Sequence, residues 1–203
     1  MRFEPRFILL SVLLALGLPC ASARAAEPSS VGKFGFWTAY VVREHDQPVC
    51  YMSITSRVPP TKTPGKKDIR RGEIALMVTH RPAENSSDVI SYTAGMKFKP
   101  ASEVMINIGK KKFSLFTQGD TAWSRDSATD HALATAMRGS ASMTVTGVSA
   151  KGMKLAETVF LKGADSAYHA IGKACGLPVT ELPKAAAPRT KTTPKKPAPQ
   201  KHK

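Results

Sequence analysis

The side chains able to do chemistry in this sequence are few and far apart. A hydrolytic site needs a nucleophile, a base and an orienting carboxylate in one place. The best candidates are His80, at the head of His80-Arg81-Pro82, and Asp120, in Gly119-Asp120-Thr121. Neither sits in a recognisable constellation, since the sequence has no G-x-S-x-G elbow and no H-E-x-x-H pair. Gly147-Val148-Ser149-Ala150-Lys151-Gly152 ends in Gly-Met, where a phosphate loop has Gly-Lys-Ser/Thr, and reads as a hairpin turn. His45, His80, His131, His169 and His202 are scattered, none at ligand spacing from a cysteine. The residues therefore predict no catalytic set, no metal and no cofactor. His80, Arg81 and Trp123 are left as a candidate binding surface, although a strand end meeting a turn explains His80-Arg81-Pro82 equally well. Trp37 reads as core, because it lies inside a strand.

The cysteines have to be sorted by compartment. Arg2 and Arg6 form a positive start, Phe7–Leu18 an apolar run, and Ala21-Ser22-Ala23 and Ala23-Arg24-Ala25 are small-residue cleavage sites. Residues 1–25 thus read as a secretory signal peptide cut after Ala25, and the run is short for a membrane span, which needs about 20 residues. An uncleaved anchor is the competing reading. A lipidated Cys20 is disfavoured by Pro19 before it. Cleavage removes Cys20 and leaves Cys50 and Cys175 in an oxidising compartment, periplasmic or secreted and outer-membrane associated. One disulfide follows, the alternative being two buried thiols. No C-x-x-C pair suggests redox catalysis.

The formal charge of +15 is unevenly placed. Residues 184–203 carry seven basic residues and no acid, whereas residues 26–183 carry twenty basic and fourteen acidic ones. The tail has no apolar side chain larger than Ala or Pro and is expected to be disordered. It is either an electrostatic tether or a solvated extension. A basic chain often points to nucleic acid. Export points instead to an unidentified protein or to anionic envelope or host surfaces, with peripheral membrane contact through the tail.

Between residues 26 and 183 the pattern predicts a single, mostly β (α+β) domain. Phe34–Val42 and Val49–Arg57 read as strands around a polar turn at Arg43–Pro48. Val58–Gly72 is a Pro/Lys/Gly loop, and strands follow at Ile74–His80 and Val89–Thr93. Glu103–Ile108 and Phe113–Thr117 form a hairpin around Gly109-Lys110-Lys111, and Met143–Ser149 and Leu155–Leu161 another around Lys151-Gly152. Asp126–Arg138 has helical spacing at Ala128, His131, Leu133, Ala134 and Met137. Ala164–Cys175 has it at Ala167, Tyr168, Ile171 and Cys175, closed by Gly176. The order predicts a β-sandwich or partly closed barrel with two packed helices. A Cys50–Cys175 bond would pin the last helix to the second strand.

An ordered set of short motifs runs through this region. Trp37, Cys50-Tyr51-Met52, Arg71-Gly72 and Val78-Thr79-His80-Arg81-Pro82 come first. Ala94-Gly95, Leu115-Phe116-Thr117, Gly119-Asp120-Thr121-Ala122-Trp123 and Ala136-Met137-Arg138-Gly139-Ser140 follow. Gly147-x-Ser149-x-x-Gly152, Leu161-Lys162-Gly163 and Cys175-Gly176 complete it. In this the chain resembles the invasion-associated locus B family of bacterial exported proteins over residues 31–177. It departs at Glu157-Thr158-Val159-Phe160-Leu161, where the family usually has Asp-Thr-Tyr-Ser-Leu. The resemblance implies an envelope or secreted protein linked to host-cell entry, with no defined enzyme activity, cofactor or binding residue. Three functions are then open. The first is a non-enzymatic binding protein. The second is a periplasmic accessory protein that stabilises the envelope. The third is a hydrolase using His80 and Asp120. A pocket gathering those two with a serine would favour the hydrolase, and an apolar patch with a polar rim would favour binding.

Overall fold

The structure is a computed structural model that describes residues 27–57, 71–179 and 182. The expected signal peptide at 1–25, most of the expected loop at 58–72 and the expected disordered tail at 184–203 lie outside the described residues.

Ten strands and two helices form among the described residues. They are β1 Ser29–Phe34, β2 Trp37–Glu44, β3 Gln47–Arg57, β4 Glu73–Arg81, β5 Ser86–Thr93, β6 Glu103–Ile108, β7 Lys111–Gln118, β8 Thr121–Trp123, α1 Ser127–Arg138, β9 Ser142–Val148, β10 Lys154–Phe160 and α2 Ala164–Ala174. The strands make one antiparallel sheet in the order β1-β2-β3-β4-β5-β8-β7-β6-β9-β10. Its edges, β1 and β10, do not pair with each other, so the sheet is open.

The period of two puts one side of every strand on a common inner face. Cys50 stands opposite His80, and Met52 opposite Val78. Val78 in turn stands opposite Ile90, and Leu76 opposite Tyr92. Far along the sheet, Val145 and Glu157 are paired on that same face. Glu157 nevertheless bonds the hydroxyl of Tyr92 on β5 and the guanidinium of Arg71. That contact exists only because the sheet curls until β10 faces β5, which is the partly closed barrel.

The curl is tightest at one corner. The Phe36 N–H donates to the Lys162 carbonyl at 3.2 Å, joining the β1–β2 turn to the entrance of α2. Gly163 has φ 93°, and a Cβ there would lie 2.0 Å from the Phe34 carbonyl oxygen, so the approach requires glycine.

The helices cover the inner face, α1 against β5 and β7 and α2 against β1, β2 and β3. Asp126 caps α1 by accepting the Thr129 N–H at 2.7 Å. α2 closes with Gly176 at positive φ and the Leu177 N–H on the Gly172 carbonyl at 2.9 Å, a Schellman end. Trp37, Met52, Leu76, Ile90, Ile106, Leu115, Leu133, Met137 and Ile171 are fully buried between the layers. Each such side chain contributes about 1.5–3 kcal/mol of transfer free energy. The disulfide forms between Cys50 and Cys175, with the Cα atoms 5.9 Å apart.

Three expectations need correction. Phe34–Val42 is not one strand: Gly35, at φ 59°, turns the chain and separates β1 from β2. The turn after β2 is confined to His45-Asp46, both at positive φ, and β2 and β3 extend up to it. In α1 the buried face is Asp130, Leu133, Ala134, Ala136 and Met137, while Ala128 and His131 are exposed. Asp130 is drawn inward because its carboxylate accepts the Ile90 N–H at 2.9 Å, just past the last β5–β8 pair, Ser91 with Trp123. Burial raises the Asp130 carboxyl above the usual carboxylate range, against the lowering effect of that bond.

Candidate functional site

The structure does not gather the residues singled out from the sequence. His80 and Arg81 are consecutive on β4, so their side chains leave opposite faces. His80 is 2% exposed. Arg81 points outward to Glu44, at 2.6 and 3.2 Å, and to Glu84. Trp123 pairs with Ser91 and Phe116 and is half-buried, on the face opposite to the buried Ala122. Asp120 is exposed in the turn before β8, away from His80, with its carbonyl accepting the Ala94 N–H.

What His80 does meet is Asp88, one residue before the strand expected at Val89–Thr93. Asp88 stands near the start of β5 at φ 63°, a left-handed conformation that Asp tolerates when its side chain is held. Its carboxylate is 4% exposed. It accepts the Tyr168 hydroxyl from α2 at 2.5 Å and the His131 Nδ1–H from α1 at 2.7 Å. Its own N–H donates to His80 Nδ1 at 3.1 Å. The Tyr168 ring meets His80 edge-on at 5.2 Å and carries the Arg138 guanidinium 4.3 Å above it. Arg138 is bonded to Asp165 at 2.7 Å and to His169. His80, Asp88, His131, Arg138 and Tyr168 line a cavity of about 200 Å³, closed on one side by Leu177, Pro178 and Val179. Burial, and then the bond to Asp88, raise the Tyr168 hydroxyl pKa, so Tyr168 is a donor and not a base here.

This cluster ties β4, β5, α1 and α2 together. The pair of histidine and carboxylate that a hydrolase would need is Asp88–His131, not His80–Asp120. Among the described residues, no serine hydroxyl bonds to His131. The cavity is lined by Ser87, but the Asp88 carboxylate is already satisfied within the fold.

The His80 bond has a consequence in pH. An Nδ1 that accepts an N–H holds the ring neutral, and burial lowers the His80 pKa against the pull of Asp88. The unfolded chain takes up this proton near the ordinary 6.5 and the folded chain resists it. Stability is therefore present above pH 6.5 and lost as pH falls below it. Urea midpoints should fall between pH 7.5 and 5.0, before most carboxylates titrate. In His80→Gln, whose amide oxygen can accept the Asp88 N–H, that slope should flatten. An unchanged slope would place the acid sensitivity elsewhere.

A second feature lies at the tight corner. Phe36 is 52% and Phe160 59% exposed. Their ring centroids are 6.1 Å apart. They form the lips of a groove of about 290 Å³ walled by Ile54, Ile74, Leu76, Tyr92 and Val159, with Thr55, Ser56 and Thr158 on its rim. Lys33 and Lys162, both exposed, flank the two phenylalanines along the chain. The sequence hides this site because Phe36 and Phe160 are 124 residues apart and each reads as an ordinary strand residue. No helix of the described residues is long and apolar enough to cross a membrane.

The comparisons agree with this fold. A family model described as "Invasion associated locus B (IalB) protein" matches residues 37–172. The crystal structure of invasion associated protein b from Bartonella henselae superposes with a TM-score of 0.53 at 12% identity, covering 72% of this chain and 96% of that one. No curated protein matches the sequence.

Proposed function

The chain belongs to the invasion associated locus B family, and from that premise we propose that it is an exported protein that acts by binding an anionic envelope or host surface, without catalysing a reaction. The observation that carries this reading is the corner at Phe36 and Phe160. Two large apolar side chains stand in solvent, each within three residues of an exposed lysine along the sequence, on a chain of net charge +15. Exposed apolar residues grouped over a groove mark interaction sites, where singly scattered ones do not. The polar cavity, by contrast, spends its carboxylate on holding the helices, which favours a structural role for it. The structural neighbour bears a name drawn from invasion, and surface attachment is a step such a protein could supply.

The reading is tested with the tail, whose seven basic residues have no apolar anchor. Each basic residue near an anionic surface is worth about 1 kcal/mol, and screening acts over roughly 8 Å at physiological salt. The full leaderless chain should be retained on anionic vesicles at low salt and largely released at high salt. Deleting residues 184–203 should weaken low-salt retention at least tenfold and leave thermal stability unchanged. Equal retention of both forms would rule out the tether. Failure of the full chain to bind any anionic surface would overturn the function itself.

A further inference from the structure

We propose that the groove behind Phe36 and Phe160 takes up one acyl chain of a phospholipid, so that the corner grips the surface to which charge delivers the protein. This rests on the binding function above and names what the site holds.

The lining decides the chemistry. The floor is Leu76 and Tyr92, and the walls are Ile54, Ile74 and Val159. The Tyr92 hydroxyl is committed to Glu157, and Glu157 is committed also to Arg71. Burial, together with the bond to Glu157, raises the Tyr92 pKa, so its hydroxyl stays protonated and engaged. Thr55, Ser56 and Thr158 provide hydroxyls only at the rim. The interior thus asks for an apolar occupant.

Size and charge narrow the choice. A helix needs a trough about 10 Å across, whereas about 290 Å³ lies at the small end of ligand pockets. A single extended hydrocarbon chain suits that volume. The lysines at the corner, Lys33 and Lys162, would then stand at headgroup level, where a phosphate supplies the complementary charge. Phe36 and Phe160, both more than half exposed, put the mouth of the groove in solvent. Interfacial binding combines buried apolar area with attraction to anionic headgroups, and exposed aromatics over an apolar groove near two lysines offer both.

Two variants separate gripping from charge. Phe36→Ser/Phe160→Ser removes the lips, and Val159→Trp fills the groove while leaving them. Vesicles of phosphatidylglycerol and phosphatidylcholine are loaded at low salt and washed at high salt, with heparin beads as an anionic surface that has no acyl chains. The parent chain should keep a salt-resistant fraction on vesicles and none on heparin. Both variants should lose that fraction at least tenfold yet bind heparin at low salt as the parent does. Monomeric short-chain phosphatidylglycerol should raise the melting temperature of the parent and of neither variant. The Ser variant should melt as the parent does, because both phenylalanines are more than half exposed. Variants that hold vesicles as firmly as the parent would overturn the acyl-chain site and leave surface binding intact. The same holds for a corner that instead mediates dimerisation, seen as concentration-dependent mass lost in the Ser variant. A parent that binds neither vesicles nor heparin would overturn the function beneath it.

Discussion

Replacing Cys50 and Cys175 with alanine is expected to lower the unfolding free energy by about 2–5 kcal/mol. The bond closes a loop with a sequence separation of 125, which in the chain-entropy model is worth roughly 4–5 kcal/mol. Its position makes the upper part of that range reasonable. Cys175 is the residue on which α2 ends, and Cys50 lies fully buried on β3. α2 packs on β2 and β3, and polar ties also hold it, from Tyr168 to Asp88 and from Arg138 to Asp165 and His169. Without the covalent link, fraying of α2 opens the core directly. A loss of this size in a chain of this length shifts the melting temperature by roughly 5–15 °C. Thermal melts of the parent with and without reductant, beside the double alanine variant, measure it. Coinciding melts would show that α2 is held by packing alone.

How much of this was legible in the sequence depends on the distance over which a signal acts. Glu103–Ile108 was bounded correctly because strict alternation and a Gly-Lys turn are local facts. The helical spacing over Asp126–Arg138 bounded α1 to within one residue for the same reason. The two cysteines could be paired because only two remain after the signal peptide is set aside. Gly35 was missed as a turn because Phe34 and the residues from Phe36 onward carry strand character on both sides of it. β8 was missed because three residues have no period. The sites were hidden more deeply. Asp88 is joined to partners on α1 and α2 that are 43 and 80 residues away. Glu157 marked a departure from the family pattern, and its contact with Tyr92 spans 65 residues. His80 did point to a special place, but the carboxylate near it came from the adjacent strand, not from Asp120.

That strand residue is where the second large effect is expected. Asp88→Ala should destabilise the protein by about 3–5 kcal/mol. The contributions can be ranked. The bond to His131 is the smaller, since the histidine side chain is 71% exposed and water can replace its partner. The bond from Tyr168 is the larger, because it is buried and its acceptor is charged; such bonds contribute about 1.5–3 kcal/mol. Removing the carboxylate leaves that hydroxyl unpaired beside His80 and under Arg138. Alanine also has to hold φ 63°, which costs an L residue roughly 1 kcal/mol more than it costs Asp or Asn. Two further variants divide these effects. Asp88→Asn tolerates the backbone and still offers an oxygen to Tyr168, so it should recover more than half of the loss. Asp88→Gly relieves the backbone but accepts nothing, so it should fall between alanine and asparagine. Urea midpoints in the order parent, Asn, Gly, Ala would establish the carboxylate as the pin that holds both helices to the sheet. An alanine variant as stable as asparagine would show that the cluster contributes packing and no polar tie. In that case the Asp88 carboxylate would be free for another task, and the Asp88–His131 pair would return as a candidate for chemistry.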